Sequence, residues 1–246
     1  MMRRDPRSGT IFGVGLGPGS QDLMSVRADR LIRGASHVAY FRKKGRTGHA
    51  RRIVEGMLAA DAVELPMEYP VTTEIPFDDP RYNEWLAAFY ERQVAQLDEI
   101  AGTGHDVVVL CEGDPFFYGS FMHLYTRLMD RVPVEVVPGI TGMSAAWTAT
   151  GQPITWGDDV LTVLTATQPE AMLAERIART DALVVMKIGR HLDKLRRALA
   201  SAGREEDAWM IEYASMAQQR VVPLAEVGER VPYFSILVIH GNGRRP

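Results

Sequence analysis

A glycine-rich run, Gly13-Val14-Gly15-Leu16-Gly17-Pro18-Gly19-Ser20, stands between a short apolar segment and an amphipathic stretch near the start of the chain. A strand that passes through such a loop into a helix is the opening of a βαβ unit, which points to a parallel sheet. The run departs from the dinucleotide fingerprint G-x-G-x-x-G. Counting from Gly13 puts Pro18 at the last glycine, and counting from Gly15 puts Ser20 there. Pro18 also has no N–H to offer a pyrophosphate. The following strand ends in Arg42, Lys43 and Lys44, not in the acidic residue that would hold the ribose of NAD; an NADP reading stays open. The plain structural alternative is a tight turn, with Ser20 capping a helix whose apolar face is Leu23, Val26 and Ile32 and whose end is Gly34.

From Thr10 to about Pro138, β-rich runs alternate with amphipathic stretches, so the fold class is α/β. Strands are expected at Thr10 to Gly15, His37 to Phe41, Ala62 to Leu65, Asp106 to Glu112 and Pro133 to Val137. In Arg81 to Ala101, the residues Leu86, Phe89, Tyr90, Val94, Leu97 and Ile100 recur at helical spacing, with Gly102 as the stop. A second alternation has strands near Val160 to Thr165, Ala182 to Ile188, Ala208 to Tyr213 and Phe234 to His240. Its helices lie near Glu170 to Arg179 and His191 to Ala202. Turn formers at Gly151, Pro153, Gly157, Asp158 and Asp159 suggest a boundary at residues 150–158, giving domains 1–150 and 151–246. The proline-rich stretch from Pro66 to Pro80 reads as a long functional loop.

Two more glycine turns follow strands, Glu112-Gly113-Asp114-Pro115 and Val137-Pro138-Gly139-Ile140-Thr141-Gly142. In a parallel sheet the carboxyl ends share one edge, where ligands bind. Three glycine loops on that edge suggest backbone lying close to a ligand.

Composition removes several other classes. With 46% apolar and 24% charged residues the chain belongs among folded globular proteins. A net charge of −3 gives no cationic field for a nucleic acid. The single Cys111 rules out an internal disulfide and cysteine-rich zinc sites, and the six histidines lack metal-ligand spacing, so no metal is expected. The start, Met1-Met2-Arg3-Arg4-Asp5-Pro6, lacks a signal segment, and no apolar run reaches the roughly 20 residues of a membrane span. The expected location is the cytoplasm.

Read together, these segments resemble the tetrapyrrole methylase family, the class III S-adenosylmethionine methyltransferases. The family's G-x-G-P-G stands here as Gly15 to Gly19, its D-L-L-T-x-R-A as Asp22-Leu23-Met24-Ser25-Val26-Arg27-Ala28, its G-D-P as Gly113-Asp114-Pro115, and its V-V-P-G-[IV]-[ST] as Val136 to Thr141. Three further segments, Val38 to Gly45, Met67 to Glu74 and Val184 to Arg190, look like the branch that methylates C-20 of precorrin-2. The resemblance implies two α/β domains with S-adenosylmethionine in the cleft between them, a tetrapyrrole substrate and a homodimer. It places cofactor contacts, largely main chain, on Pro18, Glu112, Gly113, Asp114, Phe117, Thr141, Gly142, Met186, Lys187 and Ala214. Some family members carry methionine where Lys187 aligns and glycine where Ala214 aligns, which main-chain bonding tolerates.

Asp114 between glycine and proline suits either a turn or a ligand contact. Cys111 reads as a buried strand residue, and His123 and His191 as helix surface or start. Arg42, Lys43, Lys44 and Arg46 follow a strand at the expected cleft edge. A tetrapyrrole rich in carboxylates needs such donors, so Arg42, Lys43 and Arg46 are candidate substrate contacts, with a solvated surface as the alternative. No residue is identified as the base that must take a proton from the methylated carbon. Other tetrapyrrole positions, cobalt-precorrin-2, uroporphyrinogen III and a ribosomal RNA substrate remain competing targets.

Overall fold

A computed structural model describes residues 8–71 and 79–244, so the N-terminal basic residues and residues 72–78 of the stretch expected as a loop from Pro66 to Pro80 lie outside the described residues, while Pro66 to Tyr69 of that stretch belong to a strand. By its contacts the chain divides into two compact units, residues 1–141 and 142–246.

The first unit carries strands β1 (Ile11–Gly15), β2 (His37–Lys43), β3 (Val63–Tyr69), β4 (Val107–Cys111) and β5 (Val134–Val137). They form one sheet in the order β3-β2-β4-β1-β5. Every pairing in it is parallel. The central strand β4 reads Val-Val-Val-Leu-Cys and is buried along its length, as a strand covered on both faces must be. Alternate residues go to opposite faces. Val107, Val109 and Cys111 pack with Phe89, Val94 and Leu97 of α3 (Pro80–Gly102) and with Phe121, Leu124 and Leu128 of α4 (Phe121–Leu128). Val108 and Leu110 pack with Ala28 and Ile32 of α1 (Val26–Arg33) and with Ala50 and Ile53 of the short α2 (His49–Ile53).

The helix expected from Ser20 starts later. Ser20 opens only a 3-10 turn, Gln21–Leu23, and makes no side-chain cap. The cap is Ser25, whose hydroxyl accepts the Ala28 amide at 3.1 Å. Val26 is 75% exposed, so the buried stripe of α1 is Ala28 and Ile32.

The second unit has strands β6 (Leu161–Thr165), β7 (Ala182–Met186), β8 (Ala208–Glu212), β9 (Arg220–Pro223) and β10 (Ser235–Ile239), ordered β6-β7-β10-β8-β9. β6 and β7 run parallel, whereas β10 is antiparallel to both β7 and β8. Its helices are α5 (Gly142–Ala149), α6 (Glu170–Ala178) and α7 (Leu192–Ser201). Leu173, Ile177, Leu195 and Leu199 of α6 and α7 cover one face of the sheet. On the other face Ala146 of α5, flanked by Met143 and Trp147, meets Val184, Ile211 and Val238. This packing draws α5 into the second unit, so the contact division falls ahead of the turn-rich stretch at residues 150–158. Among the described residues, no helix is long and apolar enough to cross a membrane.

Candidate active site

Because β4, β1 and β5 are neighbours and parallel, the turns that leave their carboxyl ends meet along one edge of the first unit. The first two are joined by main chain. The Gly17 amide donates to the Gly113 carbonyl at 3.3 Å, and the Gly113 amide donates to the Gly17 carbonyl at 2.8 Å. Both glycines take left-handed conformations, φ +76° at Gly17 and +64° at Gly113, which side chains rarely adopt. The third turn is tied to the second by a side chain. One carboxylate oxygen of Asp114 accepts the Gly139 amide at 3.0 Å, and the other accepts the Phe116 amide at 2.9 Å.

These contacts change the meaning of the glycines. A Cβ on Gly139 would sit 2.0 Å from the Gly113 carbonyl oxygen, and one on Gly15 would sit 2.6 Å from the Gly139 nitrogen. At those two positions glycine is demanded by the neighbouring loop, whatever ligand the edge holds. Asp114 is a turn former as well as a loop-to-loop tie. Pro18 is buried within the first turn, and Phe117 and Thr141 are half-buried beside the second and third. The six first-unit candidates, Pro18, Glu112, Gly113, Asp114, Phe117 and Thr141, therefore lie on the joined turns.

Glu112 is the first residue after β4, and its side chain is exposed. Protein atoms nevertheless crowd it, and this loss of solvent pushes its pKa up to about 6, against the Ala50 amide and Arg52, which lower it. Its accessible surface limits the energetic weight of that shift. Cys111, directly before it, is buried, and burial drives its thiol well above the usual range.

The basic turn beyond β2 divides into two kinds of residue. Arg42 is half-buried and donates through Nε (3.0 Å) and Nη2 (2.7 Å) to one oxygen of Glu68, its partner across β3. Arg51 makes a bidentate pair with Glu64, both bonds at 2.8 Å. Lys43, Lys44, Arg46 and Arg52 are exposed, and no ion pair holds them among the described residues. Among the three candidate substrate cations, Arg42 differs from Lys43 and Arg46 in that a strand neighbour already engages it. Glu68 supplies that partner, and no local sequence pattern marks it, since the pair exists only in the β2–β3 register.

The remaining candidates belong to the second unit. Gly142 is the first residue of α5, Met186 the last of β7, Lys187 follows it, and Ala214 lies two residues beyond β8. Around them the backbone is unusual. Lys187, Tyr213 and Ser215 have φ of 55°, 51° and 65°, left-handed values that cost a residue with a side chain about 1–2 kcal/mol each. Such strain persists where surrounding structure imposes it, and it gathers at ligand sites. Among the described residues, the hydroxyl oxygen of Ser215 and the amide oxygen of Gln168 are buried without a hydrogen-bond partner. None of these four residues has a sequence signature, since lysine, tyrosine, serine and glutamine do not advertise left-handed backbone or an orphaned acceptor.

Known proteins are similar to this chain in sequence and in fold. The precorrin-2 C(20)-methyltransferase of Sinorhizobium sp. is 47% identical over 239 residues, covering 97% of this chain and 98% of that enzyme. The cobalt-precorrin-2 C(20)-methyltransferase of Salmonella typhimurium is 27% identical, covering 95% and 97%. The uroporphyrin-III C-methyltransferase of Thermus thermophilus, solved with S-adenyl homocysteine, superposes with a TM-score of 0.67 at 23% identity, covering 94% and 92%, a likeness of fold alone. Residues 10–228, which hold all three glycine turns and both sheets as far as β9, match the family described as Tetrapyrrole (Corrin/Porphyrin) Methylases, and to that family this chain belongs.

Proposed function

We propose that this chain transfers a methyl group from S-adenosylmethionine to C-20 of precorrin-2, giving precorrin-3A in cobalamin biosynthesis. The observation that carries this reading is the 47% identity to the Sinorhizobium enzyme, end to end in both chains. The chain's residues fit the cofactor: a turn edge rich in glycine, left-handed backbone at Lys187 and Tyr213, and buried oxygens of Ser215 and Gln168 that no hydrogen bond satisfies among the described residues. When bound, S-adenosylmethionine supplies a methyl group already activated by the sulfonium. The protein's task is to hold the carbon nucleophile in line and exclude water, a contribution worth about 7–11 kcal/mol.

In this reading Pro18, Gly113, Asp114, Phe117 and Thr141, with Gly142, Met186, Lys187 and Ala214, hold the cofactor chiefly through main-chain groups. Lys43 and Arg46 pair with carboxylates at the rim of the tetrapyrrole, and Arg42 orients Glu68. The resemblance further supports a cytoplasmic homodimer, which sedimentation at micromolar concentration tests.

The decisive experiment is anaerobic incubation with precorrin-2 and methyl-labelled S-adenosylmethionine, followed by location of the label. Label at C-20 is expected. The Salmonella relative makes cobalt-precorrin-2 the second substrate to offer, and faster transfer to it would move the assignment to the cobalt-bearing substrate.

A further inference from the structure

In the first sheet β4 lies between β2 and β1, so its carboxyl end stands between the basic turn after β2 and the glycine turn after β1. Gly113 and Asp114 are bound into the glycine turns. Glu112, one residue earlier, is attracted to the Ala50 amide and Arg52 of α2, on the side of β2. It occupies the seam between the loops assigned to the methyl donor and the cations assigned to the acceptor.

The other carboxylates of β3, β4 and the turns after them are committed among the described residues. Glu64 is held by Arg51, Glu68 by Arg42, and Asp114 by two amides. Glu112 is held by no cation in an ion pair among the described residues: it accepts the Ala50 amide, feels Arg52 only at longer range, and is open to solvent. We propose that the Glu112 carboxylate is the catalytic base that takes the proton from the methylated meso carbon of the substrate. This rests on the function proposed above.

The step balances. The electron-rich C-20 forms a bond to the methyl carbon, and the S–CH3 pair goes to sulfur, giving S-adenosylhomocysteine. C-20 then carries both a hydrogen and a methyl group, and the positive charge lies in the ring system. Glu112 takes the hydrogen as a proton, and the C–H pair restores the conjugation. A carboxyl pKa of about 6 suits this work near neutral pH, where the group is mostly ionised yet basic enough to accept. The charged or titratable groups that act on it are Arg52 on α2 and Cys111, its neighbour on its own segment.

The test uses Glu112→Gln and Glu112→Asp in the full chain, with single-turnover absorbance, steady-state rates across pH and calorimetry of S-adenosylhomocysteine. The Gln variant should lose on the order of 10²- to 10⁴-fold in kcat, the usual weight of a general base. It should also lose the rise of kcat with pH near 6, bind S-adenosylhomocysteine within about threefold of the parent, and form product thioether before the final chromophore, because a tetrahedral C-20 interrupts conjugation. The Asp variant should recover part of the rate, with its rise moved to lower pH. A Gln variant with near-parental kcat overturns the proposal. So does a loss of cofactor affinity that matches the loss of rate, which would make Glu112 a cofactor contact. If the parent itself leaves precorrin-2 unmethylated, the proposed function fails first, and that outcome is visible before any variant is made.

Discussion

Asp114 and Gly139 are joined by a hydrogen bond of 3.0 Å from the glycine amide to the aspartate carboxylate, and this bond ties the turn after β4 to the turn after β5. The other oxygen of the same carboxylate closes the Asp114 turn on the Phe116 amide. One half-buried side chain thus fixes the spacing of two of the three loops expected to meet the cofactor. Asp114→Ala leaves two amides without their acceptor and should cost about 1–3 kcal/mol in urea unfolding. Asp114→Asn keeps one acceptor oxygen and should cost less. Both should weaken S-adenosylhomocysteine binding. Equal stability of the Ala variant and the parent would show that the tie contributes nothing.

Gly139→Ala tests why these turns contain glycine. The new methyl would meet the Gly113 carbonyl oxygen at 2.0 Å, and that oxygen is backbone that cannot swing aside. A loss of about 1–3 kcal/mol or more is expected from such overpacking. Gly102→Ala is the control, since a Cβ there meets nothing within 4 Å at the end of α3. It should be neutral or stabilising by about 0.5–1 kcal/mol. Gly113→Val, the obvious choice from sequence, separates nothing: with φ at +64°, any side chain there is strained with or without a ligand.

For the basic turn, the structure divides residues that the sequence treats alike. Arg46→Ala and Lys43→Ala should raise the tetrapyrrole KM several-fold while leaving cofactor affinity unchanged, and added salt should affect the parent more than these variants. Arg42→Ala should act differently. It frees the partly exposed Glu68, so a stability loss of up to about 1 kcal/mol is expected, with a KM effect that Glu68→Gln reproduces in direction. Identical KM changes for Arg42→Ala and Arg46→Ala, with Glu68→Gln silent, would put Arg42 in direct contact with substrate.

Lys187→Gly probes the main-chain character of the second-unit contacts. Removing the left-handed strain of a lysine gains about 1 kcal/mol, while the added freedom of glycine in the unfolded chain costs about 0.5–1 kcal/mol. The melting temperature should barely move. S-adenosylhomocysteine affinity should hold as well, because a main-chain bond survives the exchange. A large loss of affinity at constant stability would mean that the lysine side chain carries the contact.

What the sequence made legible follows from what glycine and apolar period encode. The buried run of β4, the helical spacing from Leu86 to Ile100 and the three glycine turns each have a local signature, and each stands where it was expected. The start of α1 was misplaced because Ser20 and Ser25 are equally good caps, and only packing decides between them. β9 was missed, since Arg-Val-Val-Pro at a sheet edge is too short to show alternation. The antiparallel run of β10 depends on long-range pairing with β7 and β8, which no local pattern carries. The Arg42–Glu68 pair escaped notice for the same reason, because its register exists only once β2 and β3 are aligned.

Glu112 makes the stability of the fold depend on pH. Its folded pKa, about 6, lies above the ordinary 4.5, so the folded state binds this proton more tightly than the unfolded state. The sign follows: protonated Glu112 favours folding, and this contribution is full below about 4.5 and is lost as pH rises through about 6. At neutral pH the ionised side chain is therefore a burden on the fold. An unscreened shift of this size would amount to roughly 2 kcal/mol, but the side chain is exposed, so the discounted value is under about 1 kcal/mol. Glu112→Gln removes the titration without changing shape. It should raise the melting temperature slightly at pH 7.5 and leave it unchanged near pH 4, the two curves separating at about pH 4.5–6. A base for catalysis that weakens the fold at working pH would be a stability cost carried for activity. A variant less stable than the parent at pH 7.5 would contradict the raised pKa, and with it the physical support for Glu112 as the proton acceptor.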